Sequence, residues 1–312
     1  MNLSHLLAAR TANGKPVRDA KTWTTKRRPE IVRLFEENQY GHAPARPKHM
    51  TFDVFDKGTP AFDGKATRRQ VTIHFTENKA GPKLDLLLYL PANAPKRVPV
   101  LLNIAFTANS NMVDEPGVKS GEVWSREKKR VPASTARRFG SLKVLPFLEA
   151  GIGVATFYYG DVEPDFAAGE ALGVRGLFKD TWGAIGAWAW GISRAIDYLE
   201  TDSAVDAKRV AITGVSRLGK TVMWAGTRDT RIAAVIASCS GEGGVALSRR
   251  NYGETIAHLV EPTRYPYQFT ANYSNYGNRV NEFPVDANLL VALIAPRPLL
   301  LQTGNTDKWS DP

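Results

Sequence analysis

Residues 98–106, VPVLLNIAF, read as an apolar strand of the kind buried on both faces, and strands buried that way belong to parallel sheets. The segments that follow keep the same rhythm. GIGVATFYYGD reads as a strand running into an aromatic loop, WGAIGAWAWGISRAIDYLE as a long helix, KRVAIT as a strand, and the residues after Ser216 as a helix. IAAVIASCS is then a strand, NLLVALIA a short helix and RPLLLQTGN a last strand. Strands alternating with helices predict an α/β fold, a mostly parallel sheet with helices on both faces. Upstream, ATRRQVTIHFTE and KLDLLLYLPA read as strands, and TTKRRPEIVRLFEENQYG as a helix. That helix would be capped by Thr24 or Thr25, present Ile31, Leu34 and Phe35 on one face, and stop at Gly41. No repeat, low-complexity tract or linker interrupts the pattern, so residues 1–312 are expected to form one domain.

Such sheets bind ligands beyond the carboxyl ends of their strands, so residues that follow strands carry the interest. Composition narrows the field. The 312 residues include one cysteine, Cys239, which excludes an internal disulfide. No apolar run approaches the roughly 18 residues of a membrane helix, so no membrane partner is expected. The opening, MNLSHLLAARTANGKP, lacks a basic head followed by a long apolar stretch and shows no signal peptide. Lys plus Arg number 41 against 31 Asp plus Glu, a formal charge of +10. The basic clusters KRR (26–28) and REKKR (126–130) are short and far apart, with no interleaved aromatics. They read as solvated faces, and no nucleic-acid partner is expected. No His/Cys/Asp group has metal-ligand spacing, and no cofactor motif is present.

One stretch carries chemistry. In GVSRLGKTVMW, Ser216 follows the strand RVAIT by three residues and opens a helix. That is the setting of a nucleophile elbow, where a strained turn lifts the hydroxyl above the sheet. The helix behind it offers backbone N–H groups to a developing oxyanion. The rival reading is a small polar helix cap. The spacing, G-V-S-R-L-G, sets the second glycine one place later than the usual G-x-S-x-G.

GVSRLGK, together with RRPEIVRLFEENQYG, FYYGDVEPDF, WGAIGAWAWGISRAIDYLE, ASCSGEGG, SRRNYGETI and ALIAPRPLLLQTGNTDKWSDP, resembles in order the glucuronoyl esterases of carbohydrate esterase family fifteen, in their bacterial branch. The resemblance spans nearly the whole chain. It implies an α/β-hydrolase fold and a serine esterase that cleaves the ester between the 4-O-methyl-glucuronic acid of xylan and a lignin alcohol. It implies Ser216 as nucleophile and Arg217 beside the oxyanion. It implies Lys220, Glu254 and Trp309 as sugar contacts, with Glu261 an alternative to Glu254. The acid position that many relatives fill with glutamate corresponds here to Cys239. Asp307 is then the expected triad acid, Asp311 the runner-up, and Glu242 lies nearby but out of register. This order, serine then acid, fits the hydrolase pattern.

None of the five histidines follows Asp307 in the chain. The expectation is a chain shortened at its carboxyl end, lacking the histidine base, the last strand and the last helix, and therefore nearly inactive as it stands. A secreted or periplasmic location is implied by the resemblance alone. Two other readings stay open: an esterase of acetylated xylan, and a non-catalytic carbohydrate-binding relative.

Overall fold

The computed structural model describes residues 13–94, 96–136, 140–178 and 180–311. His5 and most of the stretch read for a signal peptide lie outside them. Eight strands form the main sheet. They are β1 (Thr51–Ala61), β2 (Ala66–His74), β3 (Lys83–Pro91), β4 (Val98–Ala105), β5 (Gly153–Tyr158), β6 (Val205–Val215), β7 (Ala234–Ser238) and β8 (Leu299–Gln302). Their spatial order is β1-β2-β3-β5-β4-β6-β7-β8. From β5 across to β8 every pairing is parallel, while β1, β2 and β3 join antiparallel. The mostly parallel sheet is therefore as expected.

Alternation along the strands builds two cores. Leu86, Leu88 and Leu90 of β3 and Val100, Leu102 and Ile104 of β4 point into the larger one. Leu87 and Tyr89 of β3 and Val154 of β5 point into the smaller. Four helices close the larger face: α1 (Arg28–Phe35), α2 (Ala184–Leu199), α3 (Arg217–Arg228) and α4 (Ala287–Ile294). Trp188 of α2 and Trp224 of α3 are almost fully buried there. Truncating either to alanine would cost about 3–5 kcal/mol. The other face carries only the short helices Asn109–Met112 and Leu145–Glu149, whose Met112 and Leu148 pack on it. Helices cover both faces, but unequally.

Three local expectations change. The first helical run spans residues 20–40, with wide turns at Trp23–Arg27 and Glu36–Tyr40. Its cap is Asp19, whose carboxylate accepts from the Thr22 N–H at 2.7 Å; Thr24 and Thr25 instead bond back to the carbonyls of Ala20 and Lys21. Val32, rather than Leu34, completes the buried face with Ile31 and Phe35. Secondly, β1 escapes sequence reading. It holds Gly58 and Pro60, lies on the sheet edge, and shifts register on both sides of Asp56. There the carboxylate accepts from Gly58 N, Thr59 N and Arg68 Nε, which diverts the backbone from a regular ladder. Thirdly, the basic clusters are not merely solvated. Arg28 donates to the Thr227 carbonyl near the end of α3 at 2.5 Å, and Arg130 pairs with Asp161 at 2.6 Å. A guanidinium can satisfy a helix-end carbonyl or a carboxylate while its stem covers apolar surface.

Because β4 to β8 run parallel, their carboxyl ends share one edge of the sheet. Residues 159–165, Ser216, 239–242 and 303–311 follow those ends.

Candidate active site

Ser216 sits at the turn from β6 into α3 with φ +58° and ψ −128°. Its hydroxyl makes no capping bond to the helix, so the helix-cap reading falls. A non-glycine residue held in this region costs on the order of 1–3 kcal/mol and persists only where the surroundings fix it. Here they do. The Ser216 N–H donates to the Ser238 carbonyl at the end of β7 at 2.8 Å. The flanking glycines are required by space: a Cβ on Gly214 would lie 2.4 Å from the Leu218 carbonyl oxygen, and one on Gly219 2.7 Å from that of Ser238. The shifted second glycine thus marks where α3 crosses the end of β7. Ser216 itself remains exposed to solvent.

Arg217, the next residue, is clamped from two sides. Its Nη1 pairs with Asp165, and its guanidinium lies 4.7 Å from the centre of the Tyr265 ring. Asp165 also accepts from Tyr159 Oη at 2.9 Å, Tyr267 Oη at 2.9 Å and Gln268 Nε2 at 2.7 Å. Despite the burial that opposes it, the charge of Asp165 holds the Arg217 guanidinium firmly protonated.

One turn along α3, Lys220 is 3 % exposed. Its ammonium donates to the Ser240 carbonyl and to Glu254 Oε2, both at 2.7 Å. Glu254, not its alternative Glu261, is thus the carboxylate beside Lys220; Glu261 is exposed and bonds Thr263 and Arg264. The Glu254 N–H donates to the Trp309 carbonyl at 2.9 Å, which ties this loop to the one after β8. Trp309 is 46 % exposed, with its indole edge-to-face against His258 at 4.4 Å.

Asp307 opens the same loop. Its Oδ1 accepts from the backbone N–H groups of Trp309 and Ser310, at 2.9 and 3.0 Å. Chiefly through the Ser310 N–H, these bonds hold its carboxyl below the usual aspartate range. The Ser310 hydroxyl donates to the Cys239 carbonyl at 3.4 Å, and Cys239 directly follows Ser238. Runner-up Asp311 is instead ion-paired with Arg250 at 3.2 Å. Glu242 is 2 % exposed and accepts on one oxygen from Gly243 N, Ser248 Oγ and Tyr273 Oη. Burial pushes its carboxyl up to about 7.

The family model described as "Glucuronyl esterase, fungi" matches residues 120–312 of this chain. The chain belongs to the glucuronoyl esterase family. It is 40 % identical to "Carbohydrate esterase MZ0003", from an unknown prokaryotic organism, over 96 % of this chain and 72 % of that protein. It is 27 % identical to a 4-O-methyl-glucuronoyl methylesterase of Podospora anserina, and it spans about half of that protein, 54 %. Among solved structures, a glucuronoyl esterase from Solibacter usitatus superposes with a TM-score of 0.91 at 45 % identity, covering 98 % of this chain and 81 % of that one. The mostly parallel sheet with its helices is thus the α/β-hydrolase fold of that family.

Within this glucuronoyl esterase fold, direct contacts connect Lys220, Glu254, Trp309 and Asp307, and Ser216 and Arg217 stand at the head of the same helix as Lys220. Four histidines are described, and none is hydrogen-bonded to Ser216. His42 faces Glu36, His49 faces Glu77, His74 is buried in β2, and His258 packs on Trp309. Burial, aided by Arg264, lowers the pKa of His258. Sequence reading assigned no role to Asp165, Tyr159, Tyr265, Tyr267 or Gln268. The available signal was position: Tyr159 and Asp165 lie just past the end of β5, in FYYGDVEPDF. The tyrosines at 265 and 267 come from a segment far along the chain from β6, which ends at Val215, and no local pattern connects them to the elbow. Among the described residues, no group of three or more His, Cys, Asp or Glu could hold a metal ion, and no helix is long and apolar enough to cross a membrane.

Proposed function

We propose that this protein hydrolyses uronate esters, as the 4-O-methyl-glucuronoyl methylesterases to which it is related are named for doing. The observation that carries the reading is the strained, exposed Ser216 with Arg217 clamped beside it and the Lys220–Glu254 pair one turn away. Ser216 Oγ attacks the ester carbonyl carbon. The tetrahedral oxyanion is stabilised by N–H groups at the start of α3 and by the guanidinium of Arg217. Collapse expels the alcohol and leaves an acyl-enzyme, which water then cleaves to free uronate and Ser216. The proton acceptor in this reading is a histidine outside the described residues, oriented by the Asp307 carboxylate. The exposed face of Trp309 offers a platform for the C–H face of a sugar, and its indole N–H a donor. Lys220 and Glu254 form a polar floor beside it.

Glucuronoxylan esterified to lignin alcohols is the natural substrate under this proposal, residues 1–312 act as one hydrolase unit, and the enzyme works outside the cytoplasm, where such a polymer is found. The test is an ester panel. Benzyl or methyl glucuronate ester should be cleaved, and acetylated xylan should not. Release of acetate with no glucuronate release would instead support a deacetylase. Binding of xylan without turnover of any ester would support a non-catalytic carbohydrate binder.

A further inference from the structure

The elbow arginine is held by a carboxylate that the reaction as proposed does not use. Asp165 lies on the loop after β5, 10 % exposed at its side chain. Each of its oxygens takes two donors. Oδ2 accepts from Arg217 Nη1 and Tyr159 Oη; Oδ1 accepts from Tyr267 Oη and Gln268 Nε2. Tyr267 Oη also reaches the Asp165 carbonyl at 3.0 Å. Apart from Arg217, the donors come from two places, Tyr159 just upstream of Asp165 and the distant pair Tyr267 and Gln268, so the carboxylate is held by groups other than the arginine it holds. This saturation matters because a free arginine side chain carries about 2 kcal/mol of rotamer entropy. Among the described residues, Asp165 is the one hydrogen-bond partner of the Arg217 guanidinium, which leaves four of its five N–H groups for other partners. Tyr265 closes one face of the guanidinium.

We infer that Asp165 is a positioning residue: it fixes the Arg217 guanidinium against the Tyr265 ring, so that the charge stands ready at the oxyanion of Ser216 before substrate arrives. The inference rests on the proposed esterase reading. An ion pair partly neutralises the arginine, so Asp165 cannot help by adding field. It helps by removing the reorganisation that a mobile cation would undergo in the transition state. Burial of the pair favours this geometry over a solvated alternative, because neither charge can be left alone without loss.

The test is a double-mutant cycle on a glucuronate ester, in the full-length protein. Asp165→Asn keeps the shape but weakens the hold on Arg217. It should lower kcat by about 10-fold to 10²-fold, the scale of a misplaced catalytic group, with KM little changed. In an Arg217→Ala background the same substitution should have almost no further effect, since its only route to the reaction is gone. Tyr267→Phe, which removes one donor from Asp165 without touching Arg217, should give a smaller fall that Arg217→Ala also absorbs. This second variant serves if Asp165→Asn fails to fold. Effects that add fully in the Arg217→Ala background, or a wild-type kcat in both variants with only a lowered Tm, would show a purely structural role. Wild-type activity in Arg217→Ala would overturn the inference alone, whereas a wild-type protein that turns over no glucuronate ester would sink the esterase reading itself, and the inference with it.

Discussion

The two sides of the candidate site are built in opposite ways. The elbow, β6 to α3, is anchored in the larger core: Leu218, Val222, Met223 and Trp224 are almost fully buried, and the Ser216 N–H is held by Ser238 at the end of the neighbouring strand β7. The candidate acid loop, residues 303–311, hangs from β8, whose Leu300 and Leu301 are 50 % and 43 % exposed and which pairs with β7 alone among the described strands. Asp307 is held by its own turn, and Trp309 by its N–H to Asp307, its carbonyl to the Glu254 N–H and its ring against His258. Strain can be stored where the core over-determines the backbone. The loop 303–311 has one left-handed non-glycine residue, Asp311 at φ +55°, and otherwise relies on local hydrogen bonds. Ser216 is accordingly fixed by packing, while Asp307 and Trp309 are fixed by a few polar contacts.

Substitutions can break that contrast in order of effect. Ser216→Ala should remove essentially all glucuronate ester turnover, a loss of about 10⁶-fold in kcat, with Tm unchanged or raised as the serine leaves its strained turn intact. Measurable wild-type turnover would mean another nucleophile. Asp307→Ala should lower kcat by about 10³-fold to 10⁴-fold, the cost of losing a triad acid, whereas Glu242→Ala should leave far more turnover in any enzyme that still folds. The reverse ranking would move the acid from the β8 loop to the buried carboxyl after β7. Gly219→Ala should reveal how rigid the elbow is: its Cβ is opposed by a carbonyl oxygen and by Ser240 Cβ at 3.0 Å, so a loss of about 1–3 kcal/mol is expected in urea unfolding. An equal substitution in the acid loop, Gly304→Ala, meets only Asp307 Cβ at 4.0 Å and should cost well under 1 kcal/mol.

The smallest effect is a pH dependence. The folded pKa of Glu242, about 7, lies above that of an exposed glutamate because burial opposes its charge. The folded state therefore holds a proton that the unfolded chain gives up, and this contribution is full below the unfolded pKa and lost as pH rises through about 7. It is on the order of 3 kcal/mol at most. Thermal unfolding of the wild type should lose stability between pH 5 and 8 relative to Glu242→Gln, which cannot titrate. Parallel curves for the two proteins would show that Glu242 stays ionised throughout.

Much of this was legible in one dimension. The runs VPVLLNIAF and RVAIT announce buried parallel strands, because a strand covered on both faces has no polar side to show. The apolar-rich segment 184–199 announces a buried helix by the same rule. Ser216 was legible because a strand end, a serine and two glycines fall within a few residues; the need for Gly214 is local, against the Leu218 carbonyl, while that for Gly219 comes from the end of β7. β1 was not, since Gly58, Pro60 and its polar edge conceal its strand character. The Lys220–Glu254 pair was half legible: the sequence offered Glu254 or Glu261, and only the loop path from 248 to 256 selects between them.

What the sequence by itself determined, then, is the order of elements and the tight turn at Ser216, both properties of short spans whose periodicity or spacing has one physical solution. Tertiary structure decided which carboxylate faces which cation. Asp165 meets Arg217 across 52 residues and Tyr267 across 102, and Lys220 meets Glu254 across 34. Such pairings depend on where parallel strand ends come to lie along one edge of the sheet, and a charge in the sequence carries no mark of its partner until the sheet has brought the two within hydrogen-bonding distance.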